Sequence, residues 1–226
     1  MRILAIDTAL GACAAAVLDS ERGAILASES IAMVRGHAEA VMPLIARVMD
    51  AARCEFGDLS RIAVTVGPGS FTGLRVGISA ARGIALVTSK PAIGLSTLSA
   101  LAAPYVAARG NDTIISAIDA RNEQVYFQVF APNGTTVVSP RLDRVRAAVR
   151  SVPVGPTVII GSGAALVAAH WPSGSPVPRV ETKLAPDIGW VARLGVAARD
   201  EGVAPKPLYL GRPDARPQDA GRLPRR

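Results

Sequence analysis

The stretch GPGSFTG, Gly67 to Gly73, stands between an apolar run and a helix-like pattern. In that position backbone N–H groups and the positive end of a helix can hold an anion. The spacing matches neither familiar phosphate loop, because GxGxxG would need glycine at Thr72 and no Gly-Lys-Ser or Gly-Lys-Thr follows. Two readings fit equally: a phosphate cradle built on Gly67, Gly69, Ser70, Thr72 and Gly73, or a tight strand-to-helix connection capped by Ser70 or Thr72. Asp7 and Thr8 close the first apolar run, a place where α/β folds bring a carboxylate to a ligand cleft. Asp119, in AIDARNEQVYF, holds the comparable place further along. Two carboxylates facing each other across a cleft would suit magnesium–nucleotide chemistry.

Other chemistries find little footing. His37 and His170 are the two histidines, and Val41 occupies the i+4 place where a helical metal motif would put a second histidine after His37. No metal site is therefore expected, and His37 reads as a helix-start residue or an interface hydrogen bonder. Ser70 lies in GPGSFTG rather than GxSxG, so no hydrolase nucleophile is expected. Cys13 and Cys54 form no CxxC pair, which argues against a zinc site or a disulfide framework and suggests a reducing, cytoplasmic setting.

The elements that position these residues follow from apolar periodicity. RILAID (Arg2 to Asp7), CAAAVLD (Cys13 to Asp19) and AILASESIAM (Ala24 to Met33) read as strands. Val41, Leu44, Ile45, Val48, Met49 and Ala52 mark an amphipathic helix, with Pro43 expected in its first turn or at a kink. RIAVTV is a strand; Leu74, Ile78, Ala81 and Ala85 trace a second helix; KPAIGLST gives a strand and turn before a helix from Leu98 to Arg109. From Asn111 the same grammar restarts with TIISAID, QVYFQVF, TTVVS, a helical patch at Leu142 to Val149, TVIIGSG and AALVAAH. A last helix, Asp187 to Arg199, follows a proline-rich connection. The order implies a duplicated α/β architecture. The second helix also has a side-chain-poor surface at Gly77, Ala80, Ala81 and Gly83, which either packs internally or meets another subunit.

The 226 residues are half hydrophobic and 4% aromatic, enough for an aliphatic core but poor in stacking surface for bases. The formal charge is +7, and from Val203 to Arg226 six Lys or Arg face two Asp, so a basic tail carries much of it. No stretch of 18 uninterrupted apolar residues supports a membrane span.

Taken together, ILAIDTA, GHAEAVMPLI, VTVGPGSFTGLRVGISAARGIAL, GLSTLSALA, AIDARNEQVYF and KPLYLGRPDA resemble the bacterial TsaB (YeaZ) family over nearly the whole chain. The resemblance implies an ASKHA fold, the actin-like, Hsp70 and sugar-kinase superfamily. Two duplicated α/β domains would flank a cleft: 1–110 as an N-terminal dimerisation domain, 111–210 as a smaller C-terminal one, and 211–226 as a basic, disordered tail. It implies an accessory role in making threonylcarbamoyladenosine at position 37 of tRNAs that read ANN codons, without catalysis, cofactor or metal of its own. The catalytic relative TsaD binds a metal through paired histidines on its first long helix, where this chain offers His37 and Val41. The partners implied are a TsaD-like transferase, a TsaE-like ATPase, a second copy when alone, and tRNA through the complex. The interface would involve His37, Val41, Arg75, Gly77, Ile78, Ala81 and Arg82. Asp7, Thr8, Gly67, Gly69, Ser70, Thr72 and Gly73 would retain at most residual anion or nucleotide binding. The alternative is an ASKHA phosphotransferase or ATPase using Asp7 and Asp119, with Gly161–Gly163 (GSG) as its adenosine-holding turn.

Overall fold

The computed structural model describes residues 1–211, arranged as two five-stranded sheets with helices on their faces. The stretch read as a basic tail lies, apart from Gly211, outside the described residues. In the first half β1 (Arg2–Asp7), β2 (Ala12–Asp19) and β3 (Ala24–Ala32) form an antiparallel meander. Then α1 (His37–Ala51) and a 3-10 turn at Phe56–Asp58 lead into β4 (Leu59–Gly67), which joins β1 in parallel. This half closes with α2 (Phe71–Thr88), β5 (Ala92–Ser96) and α3 (Thr97–Ala107).

The second half repeats the order with β6 (Thr113–Asp119), β7 (Gln124–Phe130), β8 (Thr136–Arg144), α4 (Val145–Arg150), β9 (Thr157–Ile160), α5 (Ala164–Ala169), β10 (Arg179–Glu181) and α6 (Ile188–Ala197). The sheets run β3-β2-β1-β4-β5 and β8-β7-β6-β9-β10, the same topology twice.

Alternation within the strands explains why the first sheet is covered on both faces. Leu4 and Ile6 of β1 join Cys13, Ala15 and Val17 of β2 under α1 and α2, whereas Ile3, Ala5, Ala14, Ala16 and Leu18 face α6. The small residues let α6 lie close, with Gly195 directly over Ala63. The covering helices are exchanged between halves. Leu98, Leu101, Ala102 and Tyr105 of α3 pack on β6, β7 and β9 of the second sheet, and Ile188, Val191 and Ala192 of α6 return to the first. The sheets thus separate between α3 and β6, but the layers that cover them do not.

Several expectations need correction. Leu142, Asp143 and Arg144 belong to β8, not to a helix, because the ladder with β7 continues through Tyr126↔Leu142 and Gln124↔Arg144, and α4 starts only at Val145. β10, in the proline-rich connection, carried no apolar alternation to announce it; it exists by parallel pairing with β9. Pro43 sits in the second turn of α1, on its exposed side, and the helix continues through it.

Candidate functional site

The glycine loop is built into the strand-to-helix connection between β4 and α2. Ser70 is the N-cap, its Oγ accepting from the Gly73 N–H at 3.2 Å. The Ser70 N–H donates to the Ala9 carbonyl at 2.7 Å, and Thr8 donates its hydroxyl to the Gly73 carbonyl at 2.7 Å. Three glycines four residues apart mark where α2 rides over the β1–β2 turn. A Cβ at Gly69 would strike the Ala9 carbonyl, at Gly73 the Thr8 carbonyl, and at Gly77 the Thr8 hydroxyl.

The loop is also roofed by the chain's own C-terminal strap. The Leu208 N–H donates to the Val66 carbonyl at 2.7 Å, and the Leu208 carbonyl lies over Gly67, whose φ of 118° only glycine adopts readily. Carbonyl oxygens crowd this loop, which is the wrong polarity for an anion.

The neighbouring carboxylate is sealed off. Asp7 is fully buried; its Oδ1 accepts from Thr65 Oγ1 at 2.5 Å and from the Ala9 N–H at 3.1 Å. Burial holds its carboxyl above the usual range, although the hydrogen bonds from Thr65 and Ala9 and the charge of His37 pull the other way. Asp7 Oδ2 and His37 Nε2 find no hydrogen-bond partner among the described residues. Asp119 is exposed; it accepts from the Arg121 N–H at 2.7 Å, while Ser162 Oγ accepts from its own N–H. The two carboxylates do not face each other across open space, because Leu10 and Leu210 pack with Leu98, Leu101, Ile118 and Tyr126 where the halves meet. Gly161 and Gly163 serve close packing on Ala117 and Asp119. Among the described residues no group of three His, Cys, Asp or Glu side chains could hold a metal ion.

Open surface lies instead on the outer side of α1 and α2. Two adjoining hollows of about 460 Å³ each run between these helices. Val41, Met42, Phe71, Arg75 and Ala80 line the first; Met42, Phe56, Ala80, Gly83 and Val87 line the second. Phe71 and Val87 are 51% and 86% exposed, and Leu86 beside them 81%. Arg75 stacks its guanidinium on Phe71 at 3.7 Å, and Tyr209 of the strap lies 5.8 Å away on a stacked ring.

This placement corrects the partner-facing set. Gly77, Ile78 and Ala81 point inward against the first sheet, on the stripe that also buries Leu74 and Ile84, and so cannot touch a partner. His37 is buried as the first residue of α1, and Val41 forms the floor of the groove. Arg75 and Arg82 are exposed. Phe71, Met42 and Val87 escaped the sequence reading, while of the side-chain-poor surface read there Ala80 and Gly83 do line the groove. The signal available was the one-residue offset between the stripe Leu74, Ile78, Ala81 and the apolar residues that fall off it.

The duplicated topology with exchanged covering helices is that of the ASKHA class. A crystal structure of the ethanolamine utilization protein EutJ from Carboxydothermus hydrogenoformans superposes with a TM-score of 0.51 at 12% identity, over 87% of this chain and 89% of that one. Residues 25–167 match the family model described as TsaD, tRNA N6-adenosine threonylcarbamoyltransferase. The tRNA threonylcarbamoyladenosine biosynthesis protein TsaB of Escherichia coli is 38% identical over 127 residues. That stretch covers 56% of this chain and 54% of the E. coli protein, so the chain matches about half the length of that relative. The structure of YeaZ from Pseudomonas aeruginosa superposes with a TM-score of 0.77 at 26% identity, covering 92% of this chain and 99% of that one. The chain belongs to the TsaB (YeaZ) family.

Proposed function

We propose that this chain is a non-catalytic subunit that docks and activates a TsaD-like transferase in the modification of tRNA adenosine to threonylcarbamoyladenosine. The observation that carries the reading is the apolar groove between α1 and α2, a face with Met42, Phe56, Phe71 and Val87 open to solvent. A partner helix pair fits such a groove, with Ala80 and Gly83 allowing close approach and Phe71 and Met42 as anchors. The same face would hold a second copy when the chain is alone, and the heterodimer would recruit a TsaE-like ATPase. The closed glycine loop supports the non-catalytic part and weighs against the phosphotransferase alternative, because the Ser70 and Gly73 N–H groups are taken by the Ala9 carbonyl and the Ser70 hydroxyl.

Light scattering after size exclusion tests the docking. The chain alone should run as a homodimer, and mixed with the TsaD-like protein of the same genome it should shift to a one-to-one heterodimer. Ala80→Glu should abolish both the homodimer and the shift to the heterodimer, and its far-UV circular dichroism spectrum should match that of the native chain, which shows the monomer still folded. Heterodimer formation by Ala80→Glu as tight as by the native chain would refute the placement. Ala81→Glu is not a clean probe, since a charge there would enter the core.

A further inference from the structure

Charge is distributed unequally between the halves. Residues 1–112 carry ten Lys or Arg against nine Asp or Glu, whereas residues 113–199 carry nine against five. Four of those nine fall in the ten residues RLDRVRAAVR, 141–150, which form the end of β8 and all of α4.

All four are exposed; the Arg141 guanidinium pairs with Asp143 at 3.6 Å and lies over Phe127, and the Asp143 carboxylate also accepts from the Arg144 backbone N–H at 2.8 Å. Arg144, Arg146 and Arg150 pair with no carboxylate among the described residues. Arg146 and Arg150 are four apart on a helix and so share one face, about 5–6 Å between Cβ atoms. The β6–β7 turn adds Arg121, also exposed and in no ion pair among the described residues. That turn is fixed against the start of α4, because the Val145 N–H donates to the Glu123 carbonyl at 2.9 Å and Gln124 pairs with Arg144.

We infer that this arginine ridge is a binding surface for the phosphodiester backbone of RNA. Guanidinium groups present forked donors that match phosphate oxygens, and those of Arg121, Arg144, Arg146 and Arg150 form no ion pair among the described residues. A protein partner would need a buried apolar anchor at the centre. The exposed large apolar side chains nearby, Val137 and Val154, lie outside the 141–150 segment instead. The ridge is on the second half, whereas the α1–α2 groove is on the first, so both can be occupied together. The choice of RNA over another polyanion rests on the proposed role in tRNA modification.

Fluorescence anisotropy with a labelled tRNA transcript and the isolated chain, between 50 and 200 mM salt, tests the ridge. Arg146→Ala/Arg150→Ala should weaken binding at low salt by roughly tenfold or more and reduce the slope of log affinity against log salt by about 1 per arginine. Arg121→Ala/Arg144→Ala should act in the same direction, and Arg22→Ala, on the β2–β3 turn of the first half, should change nothing. Circular dichroism melts of each variant should match the native chain, since every substituted side chain is exposed. The inference is overturned if the native chain does not bind tRNA at the lowest salt, if both double variants keep the native affinity and slope, or if polyglutamate binds more tightly than tRNA. Absence of tRNA binding by the native chain with heterodimer formation intact would sink the ridge alone. Failure of heterodimer formation with RNA binding intact would sink the docking reading alone.

Discussion

Gly77→Ala sets two effects of opposite sign against each other. In the middle of an α-helix the change should stabilise by up to about 1 kcal/mol, because alanine loses less backbone freedom on folding. The structure opposes this: a Cβ at Gly77 would collide with Thr8 Oγ1, which is buried and bonded to the Gly73 carbonyl at 2.7 Å. Relief requires either rotating Thr8, which leaves a buried hydroxyl unpaired at a cost of about 1–3 kcal/mol, or lifting α2 off the sheet, which costs a similar amount in overpacking. The clash wins by roughly 1–2 kcal/mol, which in a chain of this size lowers the melting temperature by about 2–8 °C. Gly83 supplies the control, since it lies in the same helix with nothing within 4 Å of its Cβ position. Gly83→Ala should therefore raise the melting temperature by roughly 1–4 °C. Thermal melts at two protein concentrations separate these shifts from any change in self-association. Equal shifts for the two variants would refute the assignment of the glycine stripe to close packing on Thr8.

Asp7 makes stability depend on pH. Burial raises its folded pKa above the model-peptide value of 3.8, so between these two values the native state binds more protons than the unfolded chain and stability falls as pH rises. Below 3.8 the contribution of protonated Asp7 is fully present, and it is lost as pH passes the folded value. Asp7→Asn should flatten this decline in urea titrations run at successive pH values; an unchanged slope would show that Asp7 ionises without penalty. Cys13 is buried with its thiol pushed up to about 11, and burial also raises the Cys54 thiol. Neither should react with a thiol reagent at neutral pH until the chain unfolds, and fast labelling of Cys13 in the native protein would contradict the packing of β2 under α1.

The first half was largely legible because its strands and helices are long, regular and bounded by capping residues. β1, β4 and α2 fall where RILAID, RIAVTV and the Leu74, Ile78, Ala81 stripe put them. What periodicity cannot state is which sheet a helix covers, so the exchange of α3 and α6 was invisible. The side-chain-poor surface of α2 divides for a related reason: Gly77 is small because the Thr8 side chain lies against it and Ala81 is buried in the core, whereas Ala80 and Gly83 line the groove. The strap that roofs the glycine loop has no regular structure, and a non-local hydrogen bond such as that from Leu208 to Val66 leaves no local pattern. The arginine ridge was in plain view as composition, but its exposure depended on β8 extending to Arg144 and throwing α4 one turn later than expected.

A cleft filled with side chains has a mechanical consequence. Enzymes of a two-lobed fold close around a ligand, which needs lobes that can move. Here Leu10 reaches from the first half and Leu210 from the strap into the same apolar contact with Leu98, Leu101 and Ile118, while Gly211 rests on Leu142 of β8. The halves are joined by burial rather than hinged, so a partner on α1 and α2 and a polyanion on α4 would be held at a fixed separation. Leu210→Ser should loosen that joint. The substitution removes a partly buried apolar side chain, at a cost of about 1–2 kcal/mol, without touching either surface. Hydrogen exchange reads the effect directly: the Leu208 amide bonded to Val66 and the Ser70 amide bonded to Ala9 should exchange faster, while amides in the centre of β1 and β6 keep their protection. Unchanged exchange at Leu208 and Ser70 would mean that the halves are held by α3 and α6 alone.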